Sequence, residues 1–167
     1  MTTTAMETTA PTHPADAHPH EYLTFTLDSE EYGVPILSVQ EIIGYQKPTP
    51  IPNAPKWVSG VVNIRGVVIP VVDIRSLLGM AAKDCGVTSV IIVTRVDGRT
   101  IGSVVDHVND VLAFTPDQMQ STPEVADGVR TDSITGLGKL DQRLVMLLDM
   151  RQVLQGSHKT LDALPVG

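Results

Sequence analysis

The feature that most constrains the fold of this chain is a nearly continuous apolar run over residues 57–78, WVSGVVNIRGVVIPVVDIRSLL. Valine and isoleucine dominate it, and β-branched side chains favour strands over helices. Turn-forming residues from Asn63 to Gly66 interrupt the run, so the pattern predicts a β-hairpin. Arg65 then stands at the hairpin tip, where it is either a solvated turn residue or a contact for a partner.

Most of the remaining chain also has the pattern of short strands. Residues 21–27 alternate with one apolar face, and two apolar runs on either side of Asp97-Gly98 predict a second hairpin. A third hairpin is predicted from residue 134 to about 150. Helices are expected to be short: one over 36–43, after Pro35 and with Glu41 near its end, and one over 73–78 that Gly79 ends. The fold class is therefore all-β with short helices.

Two echoes within the chain indicate an internal duplication. The segment VDIRSLL at 72–78 matches LDMRQVL at 148–154, an offset of 76 residues, and Gly33 to Ile43 resembles Gly102 to Leu112 at an offset of 69. We infer two related β-barrel lobes, about 21–80 and 81–156, and an exchange of strands between them stays open. The alternative is chance similarity between apolar strands. Residues 1–20 have a disordered composition, and 157–167 are expected to be a tail.

The charge and composition exclude several classes of function. The net charge is −7 and the pI about 5.0, which argues against nucleic acid or an anionic membrane as a partner, because phosphate binding requires clustered lysine and arginine. No uncharged apolar stretch is long enough to span a bilayer, and no secretory signal is recognisable. Cys85 is the only cysteine, so no intrachain disulfide is possible, which fits a reducing cytoplasm.

A search for catalytic motifs finds none that fits. Two-lobed aspartic proteases also present one aspartate from each lobe, but Asp73 and Asp149 are followed by an apolar residue and arginine rather than by a hydroxyl residue and glycine. Helix capping or salt bridging explains that pattern better. Phosphate-binding loops and nucleophile elbows are absent from the sequence. We therefore expect a binding module without enzymatic activity, cofactor or metal, and an enzyme using the cleft between the lobes is the competing hypothesis.

The sequence resembles the CheW family of chemotaxis coupling proteins from about residue 21 to 156. Six motifs carry the resemblance: EEYG at 30–33, VQEI at 39–42, GVVNIRG at 60–66, VIPVVDIR at 68–75, VDHVNDV at 105–111 and ITGLG at 134–138. The resemblance implies two five-stranded SH3-like barrels. It also implies a cytoplasmic, non-catalytic adaptor at the membrane-associated receptor array, which links the cytoplasmic tips of chemoreceptors (methyl-accepting chemotaxis proteins) to the regulatory domain of the histidine kinase CheA.

The resemblance also implies which residues meet these partners. A groove between the barrels would receive the helical tip of the receptor, and the matching positions are Ile36, Val39, Glu41, Gly60, Arg65 and Val108. Glu41 and Arg65 resemble a pair that can form a salt bridge and tune receptor binding. Gly102 is the weaker candidate for a kinase-facing region. The alternative function is a CheW-like adaptor of another receptor–kinase pathway, for motility or surface sensing.

Overall fold

The computed structural model describes residues 20–81, 83–120 and 134–154, which are almost entirely β-structure. The strands are β1 Glu21–Leu27, β2 Glu30–Pro35, β3 Val39–Gly44, β4 Val58–Ile64, β5 Val67–Val72, β6 Val90–Val96, β7 Arg99–Val105, β8 His107–Ala113, β9 Met119–Gln120, β10 Ile134–Leu140 and β11 Arg143–Leu148. One-turn helices α1 (Ile74–Leu77) and α2 (Met150–Val153) follow β5 and β11. The all-β prediction is confirmed.

The strands form two sheets. The first barrel contains β3 to β7 in the order β3-β6-β7-β5-β4, and the second has the order β8-β1-β2-β11-β10-β9. Five strands in each barrel were expected, and the second has a sixth because the two-residue strand β9 pairs with β10. In both barrels one strand pair is parallel, β5 with β7 and β11 with β2.

The two barrels repeat each other through an exchange of hairpins. The hairpin β1–β2 corresponds to β6–β7 at the offset of 69 residues, and β4–β5 corresponds to β10–β11 at the offset of 76. However, β1–β2 pairs with β8 and β11, whereas β6–β7 pairs with β3 and β5. The boundary between the barrels therefore does not lie near residue 80. The first hairpin of each repeat, β1–β2 or β6–β7, pairs with strands of the other repeat and belongs to a barrel formed mainly by that repeat.

The helix predicted over residues 36–43 is wrong. Only Ile36–Ser38 forms a single 3-10 turn, and the chain then enters β3. The spacing of the apolar residues suited a helix, but the β-branched side chains of Val39, Ile42 and Ile43 also suit a strand, and pairing with β6 decides the outcome. Glu41 consequently lies inside an outer strand of the first barrel and not at the end of a helix.

The turns and caps are where the local sequence placed them. Arg65 and Gly66 have φ angles of 49° and 88° at the tip of the β4–β5 hairpin, and Asn63 Oδ1 accepts a 2.8 Å hydrogen bond from the Gly66 N–H. Asp73 and Asp149 accept hydrogen bonds from the backbone two residues later and cap α1 and α2. These two aspartates are therefore helix caps, as the sequence favoured.

A shared core joins the barrels. It includes Leu23 and Phe25 from β1, Ile92 from β6, and the helix residues Ile74 and Met150. Because strands of both barrels and both helices contribute to the same cluster, the relative position of the barrels is set by close packing and not by a flexible linker.

Candidate partner-binding groove

An exposed ion pair lies at the tip of the β4–β5 hairpin. The guanidinium of Arg65 donates to the carboxylate of Glu41 on β3. The Arg65 side chain is 71% exposed and that of Glu41 32% exposed, so water screens the pair and its contribution to stability is only about 0–1 kcal/mol. The fold therefore does not need this pair, and both charges are accessible to a partner.

Three half-buried apolar side chains pack against the core that the two barrels share. Ile36 precedes β3, Val39 begins β3, and Val108 lies at the start of β8; all three pack against the shared core. Strands β3 and β8 are the outer strands of their sheets, and Val39 and Val108 are equivalent in the two repeats. The structure thus places one apolar candidate on an outer strand of each barrel, and Val108 lines a hollow with Gly44 and Tyr45 at the end of β3.

Further exposed apolar residues lie on the same two strands. Ile42 on β3 and Val111 on β8 are large exposed hydrophobic residues and are again equivalent positions. An open hollow between β3 and β8 is lined by Gly44, Tyr45 and Val108, among others. Sequence reasoning missed Ile42 and Val111, although both belong to the echo between the two repeats.

A second cluster of acid and arginine lies on the other barrel. Arg143 donates to both carboxylate oxygens of Asp110 on β8, at 2.9 and 3.0 Å, and to Glu31 on β2. The hydrogen bonds from Arg143 and Thr24 lower the pKa of Asp110. Burial alone would raise the pKa of Glu31, but hydrogen bonds from Arg143 and Asn109 lower it. Sequence reasoning missed this cluster, although the echo pairs Asp110 with Glu41.

The two glycine candidates are buried and offer no surface to a partner. Gly60 has a φ of 143°, and a Cβ there would lie 2.2 Å from the carbonyl oxygen of Thr49. A Cβ at Gly102 would lie 2.8 Å from Cγ2 of Ile91. Both glycines therefore have a packing role, and any effect on a partner would be transmitted through their neighbours.

The described residues give no sign of a metal centre or a membrane span. No group of three or more His, Cys, Asp or Glu side chains among them could hold a metal ion. His13, His18 and His20 form a loose histidine cluster in the sequence, and the first two lie outside the described residues. Within the same ranges no helix is long and apolar enough to cross a bilayer.

The comparisons with known proteins all indicate the same protein family. The model of the CheW-like domain matches residues 21–158. The chain is 41% identical over 141 residues to the chemotaxis protein CheW of Klebsiella aerogenes, covering 84% of this chain and 85% of that protein. It is 35% identical to CheW of Rhizobium meliloti, covering 83% and 90%. The crystal structure of the scaffolding protein TtCheW from Thermoanaerobacter tengcongensis superposes with a TM-score of 0.78 at 25% identity, over 89% of this chain and 99% of that one.

Proposed function

The chain belongs to the CheW-like domain family, and from that premise we propose that it is a non-catalytic adaptor that couples chemoreceptors to the histidine kinase CheA. Its partners would be the cytoplasmic tip of a methyl-accepting chemotaxis protein and the regulatory domain of CheA. It would act in the cytoplasm, at the receptor array. The relatives named above are chemotaxis proteins, and the similar structure is that of a scaffolding protein, which supports an adaptor.

The observation that carries the receptor proposal is the exposed Glu41–Arg65 pair on the same outer strand as the half-buried Val39. A receptor tip is a helical hairpin, and an amphipathic helix binds by laying its apolar face into an apolar groove. Ile36, Val39 and Val108 would bury that face. The pair at the rim contributes little to stability, so we assign it to the selection and orientation of the helix, which is what charges at an interface rim do best.

The kinase proposal depends on a different surface. The region of β6 and β7 around Gly102 is our candidate for the contact with CheA. Because Gly102 itself is buried, side chains exposed on these strands and on their turn at Asp97-Gly98 would make the contact. Two separate surfaces would allow one molecule to hold receptor and kinase together, and an array of such weak contacts would gain strength through avidity.

Charge reversal at the hairpin tip tests the receptor proposal. We expect Arg65→Glu to weaken binding of a soluble receptor cytoplasmic fragment at least tenfold, about 1.4 kcal/mol, because two acidic groups would then face each other at the rim. The melting temperature should change little, since the pair is exposed. Isothermal titration calorimetry measures the affinity. The control variant is Lys139→Glu, which makes the same charge change on β10, away from the rim. Unchanged receptor affinity for Arg65→Glu would overturn the assignment.

A further inference from the structure

Arg75 is the one buried charged residue among those that the structure describes. Its side chain is 6% exposed. It is part of α1, which follows β5 of the first barrel, and it donates a 2.7 Å hydrogen bond to Asp28 in the β1–β2 turn of the second barrel. It also donates to Asp106, in the crossover from β7 to β8. The guanidinium therefore links the two barrels directly, and Lys83 lies 3.6 to 3.8 Å from the two carboxylates.

Asp106 is held from several directions. Its backbone N–H donates to Thr26 O at 3.1 Å, its carbonyl oxygen accepts from Thr88 Oγ1 at 2.9 Å, and its Oδ2 accepts from the Asp28 N–H at 2.8 Å. Burial alone would raise the pKa of Asp106, but the hydrogen bonds from Arg75 and Asp28 lower it, so the carboxylate stays charged. Strand β8 begins at the next residue, and Val108 follows one residue later.

Among the described residues, the other repeat does not form an equivalent network. Arg151 is the equivalent of Arg75, but its side chain is 67% exposed, and within the described part of the chain it forms an ion pair with the cap of its own helix, Asp149, at 3.7 Å. The position equivalent to Asp28 holds Asp97, and the position equivalent to Asp106 holds the apolar Leu37. Since one repeat folds without the network, the β-topology does not require it.

We infer that Arg75 is a positioning residue for the groove. Together with Asp28 and Asp106 it forms a latch between the barrels that fixes the start of β8, and with it Val108, relative to the end of β3 at Gly44, with which Val108 lines a common hollow. The latch acts on the groove from inside and touches no partner. The inference rests on the proposed function in one respect, namely that the groove binds a receptor. The latch itself is a property of the free protein.

The test compares Arg75→Met with Arg151→Met in the full-length protein. Methionine keeps most of the aliphatic packing but cannot bridge the two carboxylates. We expect amide hydrogen exchange over β8, residues 107–113, to become at least tenfold faster in Arg75→Met, while β4 and β5 keep their protection. The affinity for the receptor fragment should fall at least fivefold and that for the CheA regulatory domain less than twofold. Arg151→Met should resemble the unmodified protein in all three measurements.

Each outcome decides between the claims. Exchange over β8 that is the same in Arg75→Met and Arg151→Met overturns the latch. Faster exchange with unchanged receptor affinity overturns its role in positioning the groove. If exchange is faster in Arg75→Met but the unmodified protein also binds no receptor fragment, the latch is supported and the proposed function is overturned instead. If Arg75→Met does not fold, Asp28→Asn replaces it, because asparagine tolerates the φ of 57° at that turn and removes one of the two charges that Arg75 bridges.

Discussion

Gly60 provides a quantitative test of how the structure supports the groove. Gly60 lies in β4 with a φ of 143°, a conformation that is essentially confined to glycine. An added Cβ would lie 2.2 Å from the carbonyl oxygen of Thr49 and 2.7 Å from its carbonyl carbon. Neither backbone atom belongs to a flexible side chain, so Gly60→Ala must move the proline-rich segment that contains Thr49 away from β4.

The size of the effect follows from what has to break. Strain at such a φ costs about 1–3 kcal/mol. Moving the segment also disrupts two backbone hydrogen bonds between Thr49 and Val61, at 2.8 and 3.0 Å, each of which contributes about 1 kcal/mol. We therefore expect Gly60→Ala to lower the free energy of unfolding by about 3 kcal/mol or more. At this chain length that corresponds to a decrease in melting temperature of roughly 10 °C.

Urea denaturation followed by circular dichroism measures this change, and Gly44→Ala is the matched control. Gly44 is in the outer strand β3, and a Cβ there would meet no atom within 4 Å. We expect that variant to stay within about 0.5 kcal/mol of the unmodified protein. If Gly60→Ala were as stable as Gly44→Ala, the close approach of Thr49 to β4 would be wrong, and Gly60 would again be a candidate for direct contact with a partner.

Three further predictions test the interior and the charges. Ser103→Ala should stabilise the protein by about 1 kcal/mol in urea denaturation, because Ser103 Oγ is buried without a hydrogen-bond partner among the described residues; a clear loss of stability would show that the hydroxyl is bonded. Burial alone would raise the pKa of Glu31 and of Asp106, but their hydrogen bonds and charged partners lower both. Stability should therefore be intact above about pH 5 and be lost as the pH falls below about 4, and a denaturation midpoint that does not change between pH 5 and 3 would contradict this. Gly102→Ala should cost about 1–3 kcal/mol through overpacking against Ile91, and a selective loss of kinase affinity in the folded variant, with full stability, would contradict a packing role.

The sequence predicted the features that depend on neighbouring residues. Glycine after Arg65 and after Asp97 allows the positive φ angles of two hairpin tips. Asp73 lies immediately before α1, and its carboxylate accepts a hydrogen bond from the backbone N–H of Arg75 in that helix. Each of these features involves only a few consecutive residues, so their chemistry is readable without knowledge of the fold.

The error at residues 36–43 arose because both a helical pattern and a strand pattern fitted the same residues. Ile36, Val39 and Ile43 have helical spacing, and a short apolar segment does not by itself separate a helix from an outer strand. The hydrogen bonds to β6, which is about 50 residues further along the chain, made the difference. Local propensity contained no information about that pairing.

Several side-chain contacts join residues that are far apart in the chain. Arg75 reaches Asp28 across 47 residues and Asp106 across 31, and Arg143 reaches Glu31 across 112. The exchange of hairpins is of the same kind, since the internal echoes reveal which strands are equivalent but not which edges pair. The resemblance to CheW gave the Glu41–Arg65 pair, whereas the latch and the buried state of Gly60 and Gly102 required the structure.

The most direct test of the central claim is whether one molecule of this protein holds receptor and kinase together. A tagged, soluble receptor cytoplasmic fragment, the CheA regulatory domain and this protein would be mixed and captured through the tag. We expect CheA to be captured only when this protein is present, and not to be captured when the Arg65→Glu variant is used in place of the unmodified protein. In a separate pairwise capture, the variant should still bind CheA. Capture of CheA that does not depend on this protein, or that is equal with Arg65→Glu, would contradict the account.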